Sequence, residues 1–130
     1  MIVIDASAVL EVLLNTPAGG RIEKRILAPG ESLHAPHLLD LEVAQVLRRY
    51  GLSGELSPVR AREALQDFQD LPIARYPHDL LLGRVWELRH NFTAYDAAYL
   101  ALAEVLGATL VTRDAAFRES RGHHAAVELT

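Results

Sequence analysis

Ile2, Val3 and Ile4 form a short run of β-branched apolar residues, the pattern of a strand buried on both faces. Helical spacing follows at once through Leu14, so a strand feeds directly into a helix. Pro17-Ala-Gly-Gly predicts a break in the chain. Ile22, Ile26 and Leu27 then give residues 21–27 a helical apolar face, closed by Pro29-Gly30, and residues 32–35 read as a weak strand. Leu39, Val43, Val46, Leu47 and Tyr50 share one face of a helix over 38–50, with Gly51 predicted to end it. Ser57-Pro58 supplies an N-cap and a first-turn proline for a helix running to about Gln69. Ile73–Tyr76 is a candidate strand. Residues 79–89 are predicted helical, with Leu81, Leu82, Val85, Trp86 and Leu88 forming a broad apolar surface. Ala94–Leu106 is apolar on nearly every side, the mark of a central core helix, and Gly107 closes it. Thr109–Thr112 reads as a buried strand, 114–121 as a short helix and 125–129 as a last strand.

Strands separated by helical segments predict an α/β fold of βαβ units. The sheet is expected to be mostly parallel, with about five short strands flanked by helices in three layers, and ligands expected outside the strands' carboxyl ends. Asp5 and Asp114 each follow a predicted strand within two residues, so both carboxylates are expected on the same sheet edge. With 130 residues, no repeat and no long linker, residues 1–130 are expected to form one domain.

Composition changes this picture in two ways. The absence of cysteine excludes disulfides, thiolate zinc sites and cysteine nucleophiles, and fits a reducing, cytoplasmic setting. The opening residues lack the basic start of a signal peptide and carry Asp5 and Glu11 within the apolar run, and no segment is long enough for a membrane span, so no membrane role is expected. A formal charge of −4 argues against a simple polyanion binder. The basic residues are nevertheless clustered and almost all arginine: Arg21, Lys24 and Arg25; Arg48 and Arg49; Arg60 and Arg62; Arg113, Arg118 and Arg121.

The candidate chemistry lies in four acids. Asp5 and Asp114 stand where helices begin and read equally as N-caps or as ligands. Asp96 fits a capping box with Thr93 but shares a helical face with Tyr99, Leu100 and Ala103, which predicts burial, where an unpaired aspartate is rare. Glu42 lies about 80° from the centre of its helix's apolar face and reads alone as a solvated glutamate near Gln45 and Arg49. Gathered in one cleft, the four would repel one another, and a hard divalent cation would relieve the repulsion while creating a hydrolytic centre. Other chemistries fit less well. His34-Ala-Pro-His37 lacks a third metal ligand and helical spacing, His123-His124 reads as a solvated turn, and no phosphate-binding glycine loop or nucleophile elbow occurs. An aspartate-nucleophile phosphatase, suggested weakly by Asp5-Ala-Ser7, would need a well-placed lysine, and Lys24 is the only one.

Four segments, IVIDASAV at the start, Leu39-Asp40-Leu41-Glu42-Val43-Ala44, Thr93-Ala-Tyr-Asp96-Ala-Ala-Tyr-Leu and Leu110-Val-Thr-Arg-Asp114, occur in the order and spacing of the PIN-domain ribonucleases. Over essentially its whole length the chain resembles this family, and specifically its VapC-type toxins of toxin–antitoxin pairs. The resemblance implies catalytic acids at Asp5, Glu42, Asp96 and Asp114, supported by Ser7 and Thr112. It implies Mg²⁺ or Mn²⁺ held directly by Asp5 and Asp96, with Glu42 and Asp114 completing the site directly or through water. Ala115, Ala116 and Phe117 stand where some members carry a further acid or asparagine that would help hold a second metal. An RNA substrate, a cognate antitoxin protein and a homodimer are implied in the same way. The contrasting expectation is a PIN-like module that binds RNA or protein without turnover.

Overall fold

The computed structural model describes residues 1–130. Five strands, β1 (Ile2–Ile4), β2 (Leu33–Pro36), β3 (Ile73–Tyr76), β4 (Thr109–Thr112) and β5 (Ala126–Leu129), form one sheet in the order β3-β2-β1-β4-β5. Every pairing is parallel. The chain builds outward from β1 to β2 and β3 on one side, then crosses to β4 and β5 on the other. The sheet therefore reverses its winding between β1 and β4, where parallel α/β sheets open a crevice at their carboxyl ends.

The helices are α1 (Ala6–Leu13), α2 (Pro17–Ile26), α3 (Leu38–Ser53), α4 (Pro58–Asp70), α5 (Leu82–Glu87, preceded by a 3₁₀ turn at Asp79–Leu81), α6 (Ala94–Leu106) and α7 (Ala116–Glu119). As its composition predicts, α6 lies across β1, β2 and β4, with every residue from Ala97 to Ala103 buried. Helix α1 packs against β4 and gathers α2, α3 and α4. Ile2, Val3, Ile4, Leu100, Leu110 and Val111 are fully buried at the centre of the core. No helix is long and apolar enough to cross a membrane.

Three local expectations change. The segment from Pro17 is the start of α2, with Thr16 capping it and proline in the first turn. Gly19 there lies against α1: a Cβ at this position would sit 2.2 Å from the Glu11 carbonyl oxygen. The glycine thus lets two helix backbones touch. Helix α3 continues through Gly51 and ends three residues later, where Gly54 takes the left-handed conformation with φ 85°. The broad apolar surface predicted over 79–89 is only partly inward: Leu81 and Leu88 are buried, while Leu82 is 58% and Trp86 68% exposed.

Candidate active site

The register of β1 on β4 aligns Ile4 with Val111, so the next residues, Asp5 and Thr112, emerge side by side at the crevice. Thr112 Oγ1 donates to Asp5 Oδ2 at 2.5 Å, and Ser7 Oγ donates to Asp5 Oδ1 at 2.7 Å. Asp5 also caps α1, its Oδ1 accepting from the Ala8 amide at 3.0 Å. The cap and ligand readings of Asp5 are therefore compatible. Both Asp5 and Thr112 are buried, and they are the only buried polar or charged residues in the chain. Thr112 Oγ1 accepts in turn from the Asp114 amide, and Ser7 Oγ from the Arg113 amide, each at 3.0 Å. The two hydroxyls tie the end of β4 to the start of α1.

Asp114 is exposed, and its Oδ1 caps the following turn by accepting from the Ala116 amide at 2.9 Å. Asp96 sits in the first turn of α6, where its amide donates to Thr93 Oγ1. The reciprocal half of the predicted capping box is not made, and the Asp96 carboxylate accepts no hydrogen bond from the protein. It is half-buried rather than enclosed, because it sits in the first turn of the helix, immediately before the buried stretch that starts at Ala97. Glu42, on the second turn of α3, is half-buried as well, and Tyr99 Oη donates to its Oε1 at 2.6 Å. Tyr99 was legible in the sequence only as a core residue. Its place one turn beyond Asp96 on the same face was the available signal.

Asp5, Ser7, Glu42, Asp96, Tyr99 and Asp114 line one pocket of about 150 Å³, closed by Ala6 and Phe117. No lysine or arginine lines it. Burial raises the pKa of Asp5 above the usual carboxylate range; the Thr112, Ser7 and Ala8 hydrogen bonds oppose the shift and the Asp114 charge adds to it. Glu42 is raised by burial, against the Tyr99 hydrogen bond and with the charges of Asp5 and Asp96. Asp96 is raised by burial and by Asp114 and Asp5. Burial and the hydrogen bond to Glu42 hold Tyr99 protonated, so it remains a donor. Asp5, Glu42 and Asp96 thus each feel the charge of at least one neighbouring acid.

This donor set fits a divalent metal. It is all oxygen, as Mg²⁺ and Mn²⁺ prefer, and the pocket supplies no competing positive charge. No three His, Cys, Asp or Glu side chains are assembled as a ready-made cage. Mg²⁺ does not require one, because it usually keeps several waters and takes one or two carboxylates directly. The histidines serve elsewhere. His34 engages Tyr76 Oη and Ser32 Oγ through its two ring nitrogens. His123, expected in a solvated turn, is half-buried and bonded to the Phe117 carbonyl and the Ala125 amide.

A PIN-domain family model matches residues 2–122. The chain belongs to the PIN-domain family. Among its VapC relatives, ribonuclease VapC9 of Mycobacterium tuberculosis is 47% identical over 114 residues, covering 88% of this chain and 86% of that protein. Ribonuclease VapC12 of the same organism is 40% identical over 129 residues, covering 99% and 98%. The fold agrees: the crystal structure of VapBC2 from Rickettsia felis, bound to a promoter DNA fragment, superposes with a TM-score of 0.72 over 99% of this chain and 98% of that one, at 17% identity. Within this PIN fold, the two carboxylates predicted at strand ends do share the sheet edge, and the two helical acids reach it from α3 and α6.

Proposed function

We propose that this protein is a metal-dependent endoribonuclease acting as the toxin of a toxin–antitoxin pair. The observation that carries the reading is the convergence of Asp5, Glu42, Asp96 and Asp114, from four separate elements, on a pocket without a basic residue. The VapC ribonuclease names of relatives at 40–47% identity support it, and a VapBC complex shares the fold.

Asp5 and Asp96 are assigned as direct ligands of Mg²⁺ or Mn²⁺, with Glu42 and Asp114 binding directly or through water. A bound divalent cation would supply a water of lowered pKa and stabilise charge developing on the phosphodiester. The chain's own groups prepare the site. Thr112 and Ser7 orient Asp5 and offset part of the burial that penalises its charge, and Tyr99 fixes one oxygen of Glu42 so that the other is free to bind. No side-chain nucleophile is needed. A cognate antitoxin would inhibit by bringing a basic group to the carboxylates. A homodimer is also part of the reading, supported by the exposed Leu82 and Tyr95, which line a common hollow; sedimentation of the pure chain as a monomer would remove it.

The test is cleavage of single-stranded RNA with and without Mg²⁺ or Mn²⁺, beside growth inhibition on expression. Asp5→Asn and Asp96→Asn should abolish both while leaving circular dichroism unchanged. Full activity in either variant would sink the assignment. Metal-independent RNA binding without shortening by the parent chain would favour a binding module instead.

A further inference from the structure

A second hollow abuts the carboxylate pocket and shares Ser7 with it. It encloses about 390 Å³ between α1 and α3, with Leu10 and Glu11 on one wall, Arg49 and Tyr50 on the other and Arg113 at the end nearest Ser7. Its volume falls within the roughly 300–1,000 Å³ of pockets that take small organic ligands. The two hollows lie along one helix: Glu42 faces the first and Arg49, seven residues on, faces the second, a step of about 10 Å along α3.

The charges differ sharply between them. Arg49 is exposed and makes no hydrogen bond or ion pair, whereas Arg25, Arg75 and Arg84 are all paired with acids. Glu11, the one acid in the second hollow, is already occupied: it approaches Arg113 at 3.7 Å and accepts from the Thr16 hydroxyl. Arg113 is anchored by donating to the Thr130 carbonyl at 2.7 Å, and its guanidinium remains partly exposed. A free guanidinium, an anchored one and a tyrosine beside an acidic metal-type pocket form the combination that holds an unpaired nucleotide, with cations on phosphate and an aromatic ring against the base.

We propose that the groove between α1 and α3 is a nucleotide subsite, taking the unpaired RNA nucleotide next to the scissile phosphodiester, with Arg49 and Arg113 toward phosphate and Tyr50 toward the base. This rests on the nuclease reading above and gives the RNA strand a direction across the protein, from the carboxylates along α3. Arg49 sets binding and leaves the reacting atoms to the carboxylates.

The test uses the full chain and a fluorescently labelled, mixed-sequence single-stranded RNA oligomer. In an Asp96→Asn background, Arg49→Gln should weaken binding measured by anisotropy about tenfold and reduce the salt dependence by roughly one phosphate contact. In the cleavage-competent chain, Arg49→Gln should raise KM and leave kcat unchanged. Tyr50→Phe should keep binding and Tyr50→Leu lose several-fold. Arg62→Gln, at an exposed arginine on α4 outside this groove, should change little. Equal losses for Arg49→Gln and Arg62→Gln would mean diffuse attraction and overturn the subsite. So would unchanged KM in Arg49→Gln while the parent cleaves, or unchanged RNA binding with weakened binding of a co-expressed antitoxin. A parent that does not cleave but binds RNA through Arg49 would overturn the nuclease reading and leave the subsite standing.

Discussion

Replacing Thr112 with valine isolates one oxygen in the site. Valine keeps the shape of the side chain but removes the Oγ1 that donates to Asp5 Oδ2 at 2.5 Å and accepts from the Asp114 amide at 3.0 Å. Both partners of the first bond are buried, Thr112 fully and Asp5 to 5% exposure, so water cannot replace it. A hydrogen bond to a buried charged group contributes about 1.5–3 kcal/mol, and the orphaned amide adds a smaller cost. The loss expected near pH 8 is therefore about 2–3 kcal/mol, or roughly a 10 °C fall in Tm for a chain of this size. Toward pH 4 the burial that raises the Asp5 pKa favours its neutral form, so the loss should shrink toward the roughly 1 kcal/mol of a bond between neutral groups. Urea unfolding followed by circular dichroism, in EDTA at both pH values, measures the difference. Thr112→Ser, which restores the hydroxyl, should recover most of the loss near pH 8. An equal loss at both pH values, or no recovery with serine, would refute the argument that the hydroxyl stabilises the Asp5 charge.

The same site makes the metal-free protein's pH response unusual. Asp5, Glu42 and Asp96 all have folded pKa values raised by burial, so their contribution to stability is fully present below the unfolded carboxyl value of about 4 and is lost as pH rises through the folded values. A thermal shift on adding MnCl₂ should accordingly be larger near pH 8 than near pH 5; a larger shift at the lower pH would contradict this. Tyr99→Phe removes the donor to Glu42 and nothing else, and should weaken Mn²⁺ binding in calorimetry and reduce cleavage about tenfold, as a lost charged hydrogen bond implies; unchanged values would make Tyr99 a packing residue only. Gly19→Ala forces a methyl into the Glu11 carbonyl and should cost at least about 2 kcal/mol by chemical denaturation, whereas the neighbouring Gly20→Ala, which meets nothing within 4 Å, should be neutral or stabilising.

The elements legible in the sequence were those whose cause is local. The β-branched run at Ile2–Ile4 and the all-apolar turns of α6 can be buried only as a central strand and a central helix, and the structure places them so. Pro17-Ala-Gly-Gly was misread because a glycine needed for contact with α1 looks the same as one that ends a helix, and only the partner backbone distinguishes them. Leu82 and Trp86 were misread for a related reason: helical periodicity identifies an apolar face but not what covers it.

The candidate site divides along the same line. Asp5 and Asp114 could be placed on one edge because βαβ connectivity makes the strands parallel, so residues that directly follow two strands emerge at the same end of the sheet. Glu42 could not be placed on local grounds, because a tyrosine 57 residues away sets its environment. That distance explains why Glu42 read alone as a solvated helix residue while the structure draws it toward the other acids. Burial penalises its charge, the Tyr99 hydroxyl offsets part of the penalty, and neighbouring carboxylates restore it. A glutamate held under such opposing forces is poised to gain from a cation, which is the physical content of the acid at this place in the family motif.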